Sequence, residues 1–224
     1  MIWQWDEGRS PVSLICIKPG GRRGGHDAGT MTHESLRTIR NEHSALASVL
    51  SSMEMMLKRG PDDAPERFFD VLRAMLFYID EFPERLHHPK ESDLLFPRVA
   101  RLAPETLADI VRLEKDHAAG EQQVRELQHL LLAWELMGDG RRAAFEEAAQ
   151  RYVRFYLEHM SLEEHSILPA AERVLTDEDW RALDAAFAAN RDPMVKGNPR
   201  DPAYDRLFTR IVVRAPAPIG LGDA

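Results

Sequence analysis

A single cysteine among 224 residues, Cys16, leaves no internal disulfide and no thiolate zinc or iron–sulfur site, each of which needs several sulfurs. Positive charge is not in excess: 29 Lys and Arg stand against 37 Asp and Glu, a net charge of -8. The basic patch that would meet nucleic-acid phosphates is therefore not expected. The charges are spread along the chain, as on a solvated surface. No apolar run approaches the ~18 residues of a membrane span, and Met1 to Glu7 lack the basic-then-apolar pattern of a secretory leader. The expectation is a soluble cytoplasmic protein with neither a membrane nor a nucleic-acid partner. The length suits one domain with a full core.

What the chain does contain is a repeat. His87-His-Pro-Lys-Glu91 leads to Leu95-Phe-Pro97, and His159-Met-Ser-Leu-Glu163 leads to Ile167-Leu-Pro169. Residues four apart share one face of a helix, so each copy presents an imidazole and a carboxylate together. A second repeat precedes each copy: Glu42-His43 stands before the first and Asp116-His117 before the second. Two helical hairpins of one design are expected, each giving one His from its first helix and a His/Glu pair from its second. Four histidines and two glutamates then form a dinuclear site. The offsets recur on core faces, which chance placement of nine histidines does not explain.

Apolar spacing of three and four marks the helices. The first runs from Thr32 through Leu36, Ile39, His43, Leu46 and Leu50 to Gly60-Pro61. A second starts near Pro65 and carries Phe69, Leu72, Leu76, Ile79, His87 and Glu91. Pro83 and Pro89 lie inside it, so a kink or break is expected between Phe82 and Pro89. A third opens at Ala103-Pro104 and ends at Gly138, and a fourth spans 141–173. Residues 1–31 read as a glycine-rich lead-in with a possible short strand, Val12 to Ile17. Residues 176–224 read as a helical extension packed on the bundle or carrying a dimer contact, with Thr176 capping a helix. The fold class is all-α.

Several residues remain open. His88 could be turned toward a metal by the proline distortion, although the four-residue spacing favours His87. Glu121, four residues after His117, is a third acidic ligand, an outer hydrogen-bond acceptor or an exposed residue. Glu164 would need a distorted turn to bind, and His129 lies ~18 Å along the axis from His117. Tyr152 and Tyr156 read as core packing or as hydrogen-bond donors to a metal-bound ligand, with packing favoured. Ferritin-like Glu-x-x-His occurs at Glu84/His87 and Glu114/His117, but the fourth helix has none.

Imidazole and carboxylate without sulfur disfavour closed structural zinc and suit redox-active iron, with manganese or a mixed pair as alternatives. Two His per ion and bridging Glu91 and Glu163 leave positions for a small ligand.

Taken together, Asn-Glu-His43, His87-His-Pro-Lys-Glu91, Lys-Asp-His117 and His159-Met-Ser-Leu-Glu163 resemble the hemerythrin family, specifically bacterial hemerythrin-like proteins with a His-His-Glu cation-binding domain. The resemblance covers residues 32–175. It implies an antiparallel up-down-up-down four-helix bundle, here with additional C-terminal helices, holding a non-haem di-iron centre. Oxygen-carrying members place a second third-helix His where this chain has Glu121, and an Asp where it has Glu164. The resemblance therefore implies a di-iron protein that meets oxygen or nitric oxide in sensing, storage or detoxification rather than reversible carriage. An oxidase or peroxidase-like enzyme, or a helical interaction module with a structural metal, are the alternatives.

Overall fold

A computed structural model describes residues 33–61, 64–198 and 201–222; the expected lead-in, with its strand and Cys16, lies outside them. The described residues are mostly helical, with no strand among them. Helix α1 is Glu34–Arg59. Helix α2 begins at Pro65–Ile79 and continues without interruption to residue 102. Helix α3 is Leu107–Met137, and α4 begins at Arg142–Leu162 and continues to residue 174. The first and third end on Gly60 and Gly138, whose φ values of 80° and 86° suit glycine at a helix terminus.

The joints between these helices are short, so each must turn back along its predecessor. Contacts between opposite ends bear this out: Arg73 near the start of α2 pairs with Glu135 near the end of α3. Ser166 late in α4 meets Asp109 early in α3, and Arg40 early in α1 meets Glu172 late in α4. The four helices form an all-α bundle.

Its interior is divided. One apolar cluster gathers Leu50, Met53, Leu72, Leu76, Val124, Trp134, Phe145 and Tyr152; the other gathers Leu36, Ile39, Leu95, Phe96, Leu113, Ile167 and Phe187. The buried His43, His87, His88, Glu91, His117, His159 and Glu163 fall in chain position between the two on every helix. A polar layer at that depth is costly unless its groups are paired or bind an ion.

Beyond the bundle, α5 (Asp177–Phe187) starts with Thr176 and Asp179 in a reciprocal capping box and packs along α1. Asp184 on α5 accepts from both the backbone and the hydroxyl of Ser35. Helix α6 (Asp205–Arg214) packs on α2, where Arg214 pairs with Asp70. The chain then returns to α1: Ser52 donates to the Pro216 carbonyl and accepts from the Ile219 N–H.

Candidate metal centre

Prolines shape the site. A proline within a helix has no N–H to offer and its ring crowds the carbonyl four residues back, so the turn before it widens. Here the widening takes the form of π-helical turns, Asp80–His87, Glu91–Leu95 and Glu163–Ile167. In each, the residue just before a proline bonds to a carbonyl five back: His88 to Pro83, Phe96 to Glu91 and Leu168 to Glu163. The expected kink between Phe82 and Pro89 is thus a wide turn within a continuous helix. The repeated apolar-apolar-Pro ending of the two motifs has the same cause. Such turns redirect side chains and often mark functional positions.

Seven buried side chains converge in two groups that share one member. His43, His87, Glu91 and Glu163 form the first, and His88, Glu91, His117 and His159 the second. Glu91 is the common residue and is fully buried. Its Oε1 lies 2.7 Å from His87 Nε2 and its Oε2 lies 3.5 Å from His117 Nε2, so each oxygen faces a different group. Glu163 Oε2 lies 3.4 Å from His43 Nε2.

His88 is the residue that the sequence pattern set second to His87. Both belong, because Glu91 follows His87 by four residues and His88 by three, and both offsets make neighbours on a helix. The two imidazoles therefore flank one carboxylate. Five histidines are brought together, and the groups are unequal: two imidazoles with two carboxylates against three imidazoles with one. The four histidines expected from the repeat all lie in the cluster, and His88 lies there beside them. In the second copy the position of His88 is taken by Met160.

The outward nitrogens are held by the bundle. His43 Nδ1 lies 3.0 Å from Glu164 Oε1, His87 Nδ1 2.6 Å from Glu42 Oε2, and His88 Nδ1 3.1 Å from Glu84 Oε2. Ser92 Oγ lies 3.0 Å from His117 Nδ1 and donates to Glu114; Asp116 stands 3.7 Å from His159 Nδ1. This is the pattern of metal-ligating histidines, whose second nitrogen is fixed by a carboxylate or hydroxyl so that the first points at the metal. Glu84, which the sequence paired with His87, instead serves His88, one turn on.

Glu84 also accepts from the Tyr156 hydroxyl and, at 3.3 Å, from that of Tyr152. Burial pushes its pKa up to about 7, against the lowering effect of these donors. Gly120 on α3 leaves room for the group: a Cβ there would stand 3.0 Å from Glu84 Oε1. Sequence reasoning favoured packing over a donor role for the tyrosines, and Glu84 as the acceptor is what it missed.

Glu121 does not join the cluster. It is exposed and pairs with Arg125 Nη2 at 2.5 Å, because the inner face of α3 passes through His117, Gly120 and Val124 and carries position 121 outward. His165 is exposed and bonded to the Ser161 carbonyl. His33 stacks on Trp180 at 4.3 Å, away from the cluster.

Charge within the cluster is unbalanced. Burial lowers the His43 pKa, but hydrogen bonds to Glu163 and Glu164 outweigh it and raise the value to about 9. For His87 too, Glu91 and Glu42 overcome burial and hold the imidazole well above its usual value. His88 is pushed well below by burial and by the neighbouring His117. Glu163 is raised by burial and by the Glu91 charge beside it.

The donor set fits a metal by a stricter test. Among the described residues, ten buried side-chain nitrogens and oxygens have no hydrogen-bond partner, and eight belong to His87, Glu91, His117, His159 and Glu163. His87 Nε2 and Glu91 Oε1 approach within 2.7 Å yet are not aligned as a hydrogen bond. Unpaired buried polar atoms are rare in native structures and call for an explanation, of which an ion is one. One of the eight, His159 Nδ1, is turned outward toward Asp116; the other seven are the His Nε2 and Glu Oε atoms of the cluster, the nitrogen and oxygen donors that divalent transition metals take.

These features define a metal-binding helical bundle. The profile of the hemerythrin HHE cation-binding domain matches residues 34–171, more than half of the chain, and the chain belongs to that family. No curated protein gives a significant match. None of the described helices is long and apolar enough to cross a membrane.

Proposed function

We propose that this chain is a non-haem di-iron protein that binds a small ligand, oxygen or nitric oxide, in sensing, storage or detoxification. The observation that carries this reading is the fully buried Glu91 shared between two donor groups, with an oxygen toward each. Glu91, so placed, would hold both ions, with Glu163 on α4 beside it. When bound, two iron ions would supply electrons and open coordination positions to an incoming diatomic.

The protein's own part is to hold, orient and exclude. The outward partners of the histidines keep their Nε2 atoms directed inward. A cavity of about 10 Å³ adjoins His43, His87 and His88 and is walled by Leu46, Phe82, Pro83, Leu86 and Met160. That is room for one water-sized molecule. A polar organic substrate does not fit there.

An oxidase or peroxidase-like role is the second reading, and the observation that favours it is the buried Tyr156 ring, with its centroid 5.8 Å from those of both His88 and His159. The test is stopped-flow absorption of anaerobically iron-loaded protein mixed with nitric oxide, oxygen or peroxide. A rapid spectral change with either gas and no catalytic turnover of peroxide is expected. Turnover with peroxide would favour the second reading, and no response to any of the three would remove both.

A further inference from the structure

His87 differs from the other ligand candidates in where its surroundings come from. The imidazole partners of the other four, Glu164, Glu84, Ser92 and Asp116, all lie within the bundle. Around His87, the family match ends at residue 171 but the structure continues. Glu42 Oε2, which faces His87 Nδ1, also accepts from Asn190 Nδ2 at 2.8 Å. Lys90 Nζ donates to Asn190 Oδ1. A side-chain amide has one accepting end and one donating end, so a lysine on its oxygen and a carboxylate on its nitrogen fix it one way round. Phe187, also beyond the matched region, packs edge-on to the His87 ring with centroids 5.8 Å apart.

The turn that delivers Asn190 is built for the purpose. Its backbone N–H bonds to the Phe187 carbonyl at 3.0 Å, closing α5. Arg191 then adopts a φ of 46°, a left-handed conformation uncommon for a residue with a side chain. The consequence is that Asn190 and Asp192 are both buried while Arg191 between them is exposed. Asp192 anchors the turn, accepting from the Tyr78 hydroxyl and the Met194 N–H, each at 2.7 Å. Asn190 and Asp192 also line the cavity beside His43, His87 and His88.

We propose that Asn190 is a positioning residue of the metal centre: by donating to Glu42 it fixes the carboxylate that orients His87, and so couples the C-terminal segment to the half of the centre made by His43, His87, Glu91 and Glu163. The proposal rests on the dinuclear reading above. Without Asn190, Glu42 keeps no second donor and is free to turn, and the His87 ring turns with it. Loss of such an outer partner typically weakens metal binding by ~10- to 100-fold. Here the loss falls on one ion, because only His87 is reached through Glu42.

The test is cobalt(II) titration of the metal-free full chain, followed by visible d–d absorption, for wild type, Asn190→Ala, Glu42→Ala and the double variant. Wild type should take up two equivalents. Asn190→Ala should weaken one of them about tenfold and leave the other unchanged. In the Glu42→Ala background, where the path is already cut, Asn190→Ala should add no more than about twofold. Two unaltered equivalents in Asn190→Ala, an equal weakening of both, or a tenfold effect that persists without Glu42 would each overturn the coupling. If Asn190→Ala does not fold, Asn190→Asp keeps the volume but turns an acceptor toward Glu42, and must give the same selective loss. A wild type with fewer than two equivalents refutes the dinuclear centre and the coupling with it; two tight equivalents beside an indifferent Asn190 variant refute the coupling alone.

Discussion

Gly120→Ala tests whether the tyrosine and carboxylate group beside the centre is rigidly held. In an ordinary helix interior this change stabilises by about 0.5–1 kcal/mol, because alanine loses less backbone freedom on folding. At this position the new Cβ would fall well inside van der Waals contact with the Tyr156 hydroxyl and 3.0 Å from both Tyr156 Cζ and Glu84 Oε1. Neither neighbour has an easy retreat. Tyr156 is fully packed and donates to Glu84, and Glu84 in turn faces His88 Nδ1 at 3.1 Å. Overpacking costs ~1–3 kcal/mol and disturbing a hydrogen bond to a buried carboxyl a similar amount. After the helix gain is subtracted, a net loss of about 3 kcal/mol remains. Urea unfolding of the metal-free protein should show a lower midpoint with an unchanged slope. In a Tyr156→Phe background the closest contact is gone, and Gly120→Ala should cost at least ~1 kcal/mol less. Stabilisation by Gly120→Ala, or strict additivity with Tyr156→Phe, would refute the reasoning.

Two further outcomes concern protons. His43, raised to about 9, and His87, raised well above its usual value, both carry protons in the metal-free protein at pH 7.5 that a ligating nitrogen must give up. Metal uptake should therefore release roughly two protons, measured by calorimetry in buffers of different ionisation enthalpy; release of none would contradict the assignment of these two residues. In the metal-free chain the raised His43 value contributes stability that is fully present below about pH 6.5 and is lost as pH rises through 9, so its urea midpoint should fall over that window. Asp192 is pushed up by burial to about 7, so the fold favours its neutral form, and the associated stability is present below about pH 4 and lost as pH rises through 7. Asp192→Asn should gain on wild type across that interval, by a few kcal/mol at pH 8, read from urea midpoints at pH 5 and 8. A difference independent of pH would count against the buried-carboxyl account.

What could be read in the sequence was whatever a helix fixes locally. The offset of four between His87 and Glu91, and between His159 and Glu163, places each pair on one face whatever the rest of the fold does. Gly60 and Gly138 end helices because their positive φ disfavours other residues. His88 was set second because an α-helical face admits one of two adjacent residues, and only two ion groups sharing Glu91 make both useful. Glu121 misleads for a related reason: an offset of four from His117 is a neighbour on the helix surface, but Gly120 and Val124 take the inward direction there. Glu42 and Asn190 act through contacts between distant segments, 45 residues apart for Glu42 and His87 and 148 for Glu42 and Asn190, which no local pattern encodes; Glu84 meets His88 four residues on, but its tyrosine partners are 68 and 72 residues away.

The central claim is a dinuclear centre bridged by Glu91. Its most direct measurement is the iron content of the anaerobically loaded chain after removal of loose metal, for wild type and for Glu91→Ala. Two donor groups with one shared carboxylate predict close to two ions per wild-type chain. Glu91→Ala should lose both together, while His43→Ala and His117→Ala should each weaken mainly one. Full two-ion occupancy in Glu91→Ala, or a wild type that retains no iron, would contradict the account.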